Sequence, residues 1–288
     1  MTDVNEKKQV VEWSFSFDDL AHKITDRLKT VGGSDAEVKH EHFESSAAGV
    51  TSARVKLETA VGRTTLKALE NDDNLIEADV AYVGEMQFEA TGESVKQVKL
   101  GQRHIGVVAG GSIGSGLRQA FGGLVNNDEL QWSIGLSRSV PVALDIESGV
   151  GSSHLDLTGV QLTHFKLECG VGETHLVLPA TGAHYEASVE GGVGSSHITI
   201  LEGASLHLKL EVGVGSVKVI VPAAAAVRIK LDGGLGGVNL PKDFKRVQGK
   251  DELIGKSGVW ESEGYALSQQ QITMDFEGGV GGLKLVRA

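Results

Sequence analysis

The sequence has little of several residue types, and each shortage excludes a class of protein. It contains one cysteine, Cys169, so no disulfide can form within the chain. Aromatic residues make up only 5% of the chain, which leaves aliphatic and small side chains to fill a core. No apolar run approaches the ~18 residues that span a bilayer, and no signal sequence opens the chain. These absences predict a cytoplasmic protein without a membrane-spanning helix.

Positive charge is also scarce. The chain has 27 Lys and Arg against 38 Asp and Glu, which gives a net charge of -11. Such a field repels phosphate backbones, so we expect no nucleic-acid partner, whereas a basic partner is allowed. The metal and redox motifs HExxH and CxxC do not occur. The sequence therefore predicts no cofactor and no catalytic residues.

Glycine, by contrast, is abundant, with 39 residues, and much of it lies in a repeat. The lines "ESGVGSSHLDL", "ECGVGETHLVL" and "EGGVGSSHITI" place an acid, two glycines and a histidine at the same positions. The first glycines are spaced by 21, 22, 21 and 21 residues and then by 45, and they are Gly149, Gly170, Gly192, Gly213, Gly234 and Gly279. A fixed period in this range is typical of a solenoid.

Polar and apolar residues alternate on both sides of each Gly-Val-Gly, which is the period of a strand. The sequence thus predicts an all-β fold: a single-domain parallel β-solenoid with ~21-residue coils. A sandwich of hairpins is the main competitor, but it does not require the same residue in the same column of every unit. We expect the glycines to form a corner, with the central residues pointing inward; these are Val150, Val171, Val193, Val214, Leu235 and Val280.

An acidic residue precedes the glycines in every copy, and this column is the candidate interaction stripe: Glu147, Glu168, Glu190, Glu211, Asp232 and Glu277. Carboxylates stacked at the ~4.8 Å strand spacing repel one another, so the column needs compensation. Bound cations could supply it, as could backbone amides at the turn. A third source is the lysines two residues upstream, Lys166, Lys209 and Lys230.

A histidine follows the glycines in three copies. His154, His175 and His197 are candidate metal ligands, because imidazole binds zinc and copper. Parallel side chains at a ~4.8 Å repeat converge poorly on one ion, however, so no metal site is the favoured interpretation.

The segments around the repeat predict its boundaries. The stretch "SARVKLETAVGRTTLKAL" carries Glu58, Val61 and Thr65 in the register of a degenerate first coil. Residues 1–44 are expected to hold a short strand and a capping α-helix from Asp18 to about Lys29, and residues 45–288 the solenoid. Irregular insertions are expected at about 101–130 and 241–262. Residues 106–125 suggest a short apolar helix that caps the solenoid, docks a partner or makes peripheral contact with a membrane.

Three segments carry a family resemblance: "SARVKLETAVGRTTLKAL", "WSIGLSRSVPVALDIESGVG" and "ITMDFEGGVGGLKLV". Together with the Gly-Val-Gly coils, they make residues 45 to 288 resemble the toast-rack family. The resemblance implies a soluble β-solenoid domain linked to bacterial cell-wall and phage-shock envelope stress systems. Family members are usually attached to membrane-spanning segments, and this chain departs from that pattern. The family supplies no catalytic residues.

The repeat and the resemblance together predict a non-catalytic scaffold or interaction module. We expect it to bind a protein partner, or a second copy of itself, through the faces or ends of the solenoid. Two alternatives remain open: a polysaccharide-active β-helix enzyme, and a solenoid that assembles into filaments through uncovered end strands.

Overall fold

The computed structural model describes residues 38–102, 129–233, 236–249, 257–268 and 270–288. These residues form one open sheet of fifteen strands and a short 3₁₀ turn at Tyr265–Leu267. The strands are β1 Lys39–Ser46, β2 Ser52–Ala68, β3 Asn74–Tyr82, β4 Met86–Thr91, β5 Val95–Gln102, β6 Gln131–Leu136, β7 Val142–Asp156, β8 Leu162–Leu178, β9 Tyr185–Ile200, β10 Leu206–Val221, β11 Ala226–Asp232, β12 Val238–Asn239, β13 Phe244–Gln248, β14 Gly258–Ser262 and β15 Gln271–Arg287. The predicted all-β fold is confirmed.

Six long strands form the body of the sheet. β2, β7, β8, β9, β10 and β15 pair in parallel, in that order, and equivalent residues of successive repeats lie side by side. Val61 pairs with Val150 and Thr65 with His154, so β2 is the degenerate first coil that the sequence predicts. The body is therefore a solenoid-like stack in a single register.

The alternating residues of these strands fill one continuous core. In β8, Phe165, Leu167, Leu176 and Leu178 are almost completely buried, while Lys166, His175 and Val177, which alternate with them, lie nearer the surface. Fully burying such a side chain contributes about 1.5–3 kcal/mol. Repeated over six strands, this burial holds the stack together.

Both ends of the stack differ from a purely parallel solenoid. At one end β6 pairs with β2 in parallel, and β3 and β1 then extend the sheet as antiparallel strands; the hairpin β4–β5 also joins β2, through β5. At the other end β14 and β13 continue antiparallel from β11. The prediction of a parallel solenoid is thus correct for the body and wrong for the ends. The exposed edge strand β1, "KHEHFESS", is rich in charged and polar side chains, which oppose further strand pairing.

The last strand does not lie at the end of the stack, where the sequence order would place it. β15 lies between β10 and β11, and it pairs with β10 over nearly its full length. β11 has only seven residues, so β11 and the two-residue β12 share the other side of β15. The continuous 17-residue strand therefore gives β10 a longer partner than the interrupted coil could.

The Gly-Val-Gly segment of each long strand is a corner, but its valine does not point into the main core. Cys169 Sγ lies 3.4 Å from Thr174 Oγ1, so side chains five residues apart meet inside the bend. In a straight strand they would lie on opposite faces. The central residues therefore lie outside this core: Val150 joins a small separate cluster, and Val193 and Val280 are 39% and 49% exposed. The predicted inward valine column is wrong.

Glycine is required at the corner because backbones approach closely there. Gly172 has a φ of +148°, in the region that favours glycine, and a Cβ added to it would overlap the carbonyl oxygen of Gly151 in the preceding coil. The same relation links Gly194 to Gly172 and Gly215 to Gly194. The glycine columns thus fix how tightly the coils stack.

Some sequence expectations fall on residues that the structure does not describe. The N-terminal helix from Asp18, Leu235 at the fifth corner and the segment 106–125 lie outside the described residues. The division into residues 1–44 and 45–288 stays a prediction. Within the described ranges, no helix is long and apolar enough to cross a membrane.

We expect Gly172→Ala to destabilise the protein by about 3 kcal/mol or more, because backbone strain and overpacking act together. Gly182→Ala is the matched control: Gly182 also has a positive φ, +77°, but a Cβ there would meet nothing within 4 Å. Denaturant unfolding measures both. Equal losses in the two variants would contradict a role for close stacking at the corner.

The two faces of the corner also differ in their tolerance of charge. Leu167 is fully buried in the core, so Leu167→Asp should cost more than about 4 kcal/mol or prevent folding. Val193 is partly exposed on the outer side, and we expect Val193→Asp to cost no more than about 1 kcal/mol. Melting temperatures that fall equally would contradict the outward placement of the valine.

Candidate functional site

In-register stacking brings the predicted carboxylates into one line, which we call the acidic stripe. Its order in space is Glu58, Glu147, Glu168, Glu190, Glu211, Glu277 and Asp232. Glu58 extends the six predicted residues by one, because β2 is the first coil. Glu277 precedes Asp232 because β15 lies between β10 and β11.

Lysines two residues upstream compensate the first part of the acidic stripe. Lys56 Nζ lies 2.9 Å from carboxylate oxygens of both Glu58 and Glu147, and Lys99 Nζ lies 3.4 Å from Glu58. Burial acts to raise the pKa of Glu58, but the two ammonium groups outweigh it and hold that pKa below its ordinary value. The hydrogen bonds with Glu147 and Glu58 raise the pKa of Lys56.

In the middle of the acidic stripe, another lysine forms ion pairs with carboxylates of two neighbouring coils. Lys166 Nζ lies 2.8 Å from Glu168 and 3.2 Å from Glu190, so one ammonium bridges two coils. The hydrogen bond with Glu168 is the largest cause of its raised pKa. Of the three sources of compensation that the sequence left open, the upstream lysine therefore acts here.

The far end of the acidic stripe is less well compensated. Within the described parts of the chain, no ion pair within 4.0 Å involves Glu211, Glu277 or Asp232. Burial raises the pKa of Glu211, and the carboxylates of Glu190 and Glu277 raise it further. The two parts of the stripe thus differ in lysine contacts: the first four carboxylates lie in ion pairs, whereas Glu211 has its pKa raised by burial and by its neighbouring carboxylates.

The three predicted histidines form a stack along the other arm of the corner. Ring centroids are 4.8 Å apart between His154 and His175, and 4.9 Å apart between His175 and His197. Glu173, which sequence analysis did not select as a site residue, lies beside them: its Oε1 is 3.0 Å from His175 Nε2 and 3.8 Å from His197 Nδ1. The sequence does carry a signal for it: the aligned residue of the preceding coil is Ser152, so a carboxylate appears at this position where the neighbouring repeat has a serine.

A single histidine, His207, lies between two carboxylates on the opposite arm of the corner. His207 Nδ1 is 3.1 Å from Glu186 and its Nε2 is 2.9 Å from Asp275, so carboxylates occupy both ring nitrogens. This arrangement ties β9, β10 and β15 together on the surface.

Cys169 lies inside the corner of β8. Burial raises the pKa of its thiol to about 11, and the contact with Thr174 offsets this only in part. Because the thiolate is the reactive form, Cys169 acts here as a packing residue.

Comparison with known proteins gives two informative matches. A family model described as the N-terminal domain of toast_rack, DUF2154, matches residues 32–199. The crystal structure of a candidate cell adhesion protein from Clostridium sporogenes aligns with a TM-score of 0.54 and 18% identity, over 88% of this chain and 100% of that one. This likeness supports the fold.

Two further comparisons add little. A candidate adhesin from Bacteroides fragilis aligns with a TM-score of only 0.32 and 12% identity, over 88% of this chain and 98% of that one, which is too low to support a conclusion. No curated protein matches the sequence significantly.

The two halves of the acidic stripe should respond oppositely to loss of charge. The raised pKa of Glu211 means that the folded state binds its proton more tightly than the unfolded state does. Its contribution therefore favours folding at low pH and is lost as the pH rises through the folded pKa. At pH 7 we expect Glu211→Gln to raise Tm by a few degrees, from less than ~1 kcal/mol, and the gain to vanish below pH ~4.

Glu168→Gln is the matched control, because it removes a carboxylate that Lys166 already pairs. It should lower Tm at pH 7 or leave it unchanged. Thermal melts of both variants at pH 7 and pH 4 measure the difference, and equal Tm changes in the two would contradict the asymmetry of the stripe.

Proposed function

Because this chain belongs to the toast-rack family, whose N-terminal-domain model matches residues 32–199, we propose that it is a non-catalytic interaction module that binds a protein partner through the acidic stripe. The observation that carries the proposal is the in-register line of seven carboxylates, at whose far end Glu190 and Glu277 help to raise the pKa of Glu211. Such a line has a cost in stability, which a binding role would explain.

The partner that fits this surface is a basic protein segment. Seven positions at the ~4.8 Å strand spacing give the stripe a length of roughly 29 Å. That length exceeds the ~8 Å over which salt screens exposed charges, so several cationic groups could bind independently along it. Positive charge from a partner would contact Glu211, Glu277 and Asp232, where the upstream lysines supply no ion pair in the described part of the chain.

We place this binding in a bacterial envelope-stress pathway, as the family resemblance implies. The proposal predicts that deleting the gene changes the induction of an envelope-stress reporter in the host bacterium. An unchanged response would count against the pathway and leave the binding surface to be tested by itself.

The similar fold of a candidate cell adhesion protein favours one alternative, in which the module acts at the cell surface. Cellular location separates the two: the sequence expectation is cytoplasmic, whereas adhesion requires exposure outside the cell. Fractionation of the host cells, with protease treatment of intact cells, would distinguish them.

The enzymatic and filament alternatives are each open to a direct test. A polysaccharide-active enzyme should release reducing ends from cell-wall polysaccharide, and we expect none. Filament growth would require strand pairing at the ends, where β1 presents charged side chains along its edge. Sedimentation of the full chain should therefore show no growing polymer.

The binding proposal is tested with a lysine octapeptide as a model of the basic segment. Glu211→Gln combined with Glu277→Gln removes two charges from the far end of the stripe, and binding at low salt should weaken about thirtyfold, since each of the two lost contacts is worth roughly 1 kcal/mol in water. Calorimetry at low and physiological salt measures the affinity, which should fall with salt for the wild-type protein.

The matched control removes the same number of charges elsewhere. Glu89 and Glu202 are exposed and lie off the stripe, so Glu89→Gln combined with Glu202→Gln should leave peptide binding within about twofold of wild type. An equal loss in both double variants would mean that net charge, and not the stripe, binds the peptide. No binding to the wild-type chain would also overturn the proposal.

A further inference from the structure

One position beside the histidine stack carries a carboxylate in a single coil. Ser152, Glu173, Ser195 and Ser216 pair in successive coils, and Arg63 and Gly282 hold the equivalent places in β2 and β15, so Glu173 is the one carboxylate among these paired residues. This carboxylate lies beside two of the stacked rings, His175 and His197. Stacking of the coils therefore does not require a carboxylate at this position.

Glu173 changes what the histidine stack can bind. With their ring centroids 4.9 Å apart, His175 and His197 must turn toward a shared ion, because zinc lies 2.0–2.1 Å from each imidazole nitrogen. The carboxylate supplies a third donor between the rings, 3.0 Å from His175 Nε2 and 3.8 Å from His197 Nδ1. All three donor atoms lie within 4.8 Å of one another, whereas tetrahedral zinc ligands are separated by about 3.4 Å. Small side-chain rotations at these partly exposed positions would close that difference.

One of these donor atoms is also left unsatisfied. His197 Nδ1 is buried and makes no hydrogen bond with the described residues. Leaving a buried polar atom without a partner costs about 1–3 kcal/mol, so such atoms are rare in folded proteins. A ligand that accepts an electron pair would satisfy it.

We propose that Glu173, His175 and His197 form a site for a divalent transition metal ion of the zinc type. Two imidazoles and one carboxylate form a donor set that zinc accepts, with a fourth position left for water or for a donor group of a partner. The site lies on the arm of the corner that follows the glycines, apart from the acidic stripe, so the two can be tested separately. His207 does not form a second group of this kind: its carboxylate partners contact different ring nitrogens, and among the described residues the converging donors are those of Glu173, His175 and His197.

The test is a titration of the full chain, without a polyhistidine tag, with Zn²⁺ alone in a buffer that does not bind metal. Calorimetry should show one ion per chain, and added Zn²⁺ should raise Tm, because a ligand that binds only the folded state stabilises it. Glu173→Gln and His197→Gln should each weaken the affinity at least tenfold and abolish the Tm increase. Glu173→Ser, which restores the repeat residue, should act as Glu173→Gln does.

His184→Gln is the matched control, since His184 is exposed and contacts only Ser205 among the interactions that the structure gives it. It should keep wild-type zinc binding. All these side chains are partly exposed, so the metal-free variants should fold with a Tm close to wild type; a circular dichroism spectrum verifies this. Zinc binding that survives Glu173→Gln and His197→Gln, or that is lost equally in His184→Gln, would overturn the proposal.

Discussion

The close approach of backbones at the Gly-Val-Gly corner is the constraint on which the rest of the structure depends. A Cβ at Gly172 would overlap the carbonyl oxygen of Gly151, so only glycine allows successive coils to stack at strand spacing through the bend. Because this contact recurs from coil to coil, it fixes the register on both arms of the corner. Residues that occupy the same place in the repeat must then lie side by side.

Because the register is fixed, each surface residue lies beside the residues at the equivalent repeat position in the neighbouring coils. In the acidic stripe this arrangement costs stability, because neighbouring carboxylates repel one another and the register prevents them from moving apart. Lys56 and Lys166 offset that cost where they occur, each by bridging two coils. A residue that differs from both of its neighbours in such a column, as Glu173 does from Ser152 and Ser195, changes the surface at one coil only.

The sequence predicts the body of the fold well because its signals are local and repeated. The period, the strand alternation and the place of Glu147 and its equivalents all follow from one coil. The outward valine was missed because strand alternation assumes a straight chain, and the corner inserts a change of face between Cys169 and Thr174. The position of β15 could not be predicted for a different reason. It depends on whether β11 or β15 pairs better with β10, and no single repeat contains that information.

The candidate site was also predictable only in those parts that depend on the repeat alone. The histidine stack could be predicted, because it needs only register, and the rings do lie face to face. The role of Glu173 could not, because its side chain reaches across to the next coil and its contacts depend on rotamers. Compensation of the stripe was anticipated at Lys166, whereas the contributions of Lys56 and Lys99 required knowing that β2 and β5 join the stack.

The place of β15 has a consequence for the order in which the molecule can be completed. Its parallel neighbours β10, β11 and β12 all precede it in the sequence, and its pairing with β10 closes a loop of more than 60 residues. On the ribosome, β10 therefore has a bare edge on that side until the final segment is synthesised, and β11 cannot take its native neighbour before then. Closing so long a loop is slow relative to pairing adjacent repeats. The last residues of the chain thus complete the pairing of the C-terminal strands by inserting between β10 and β11. This topology therefore requires that the unpaired edge of β10 be protected while the chain is being synthesised.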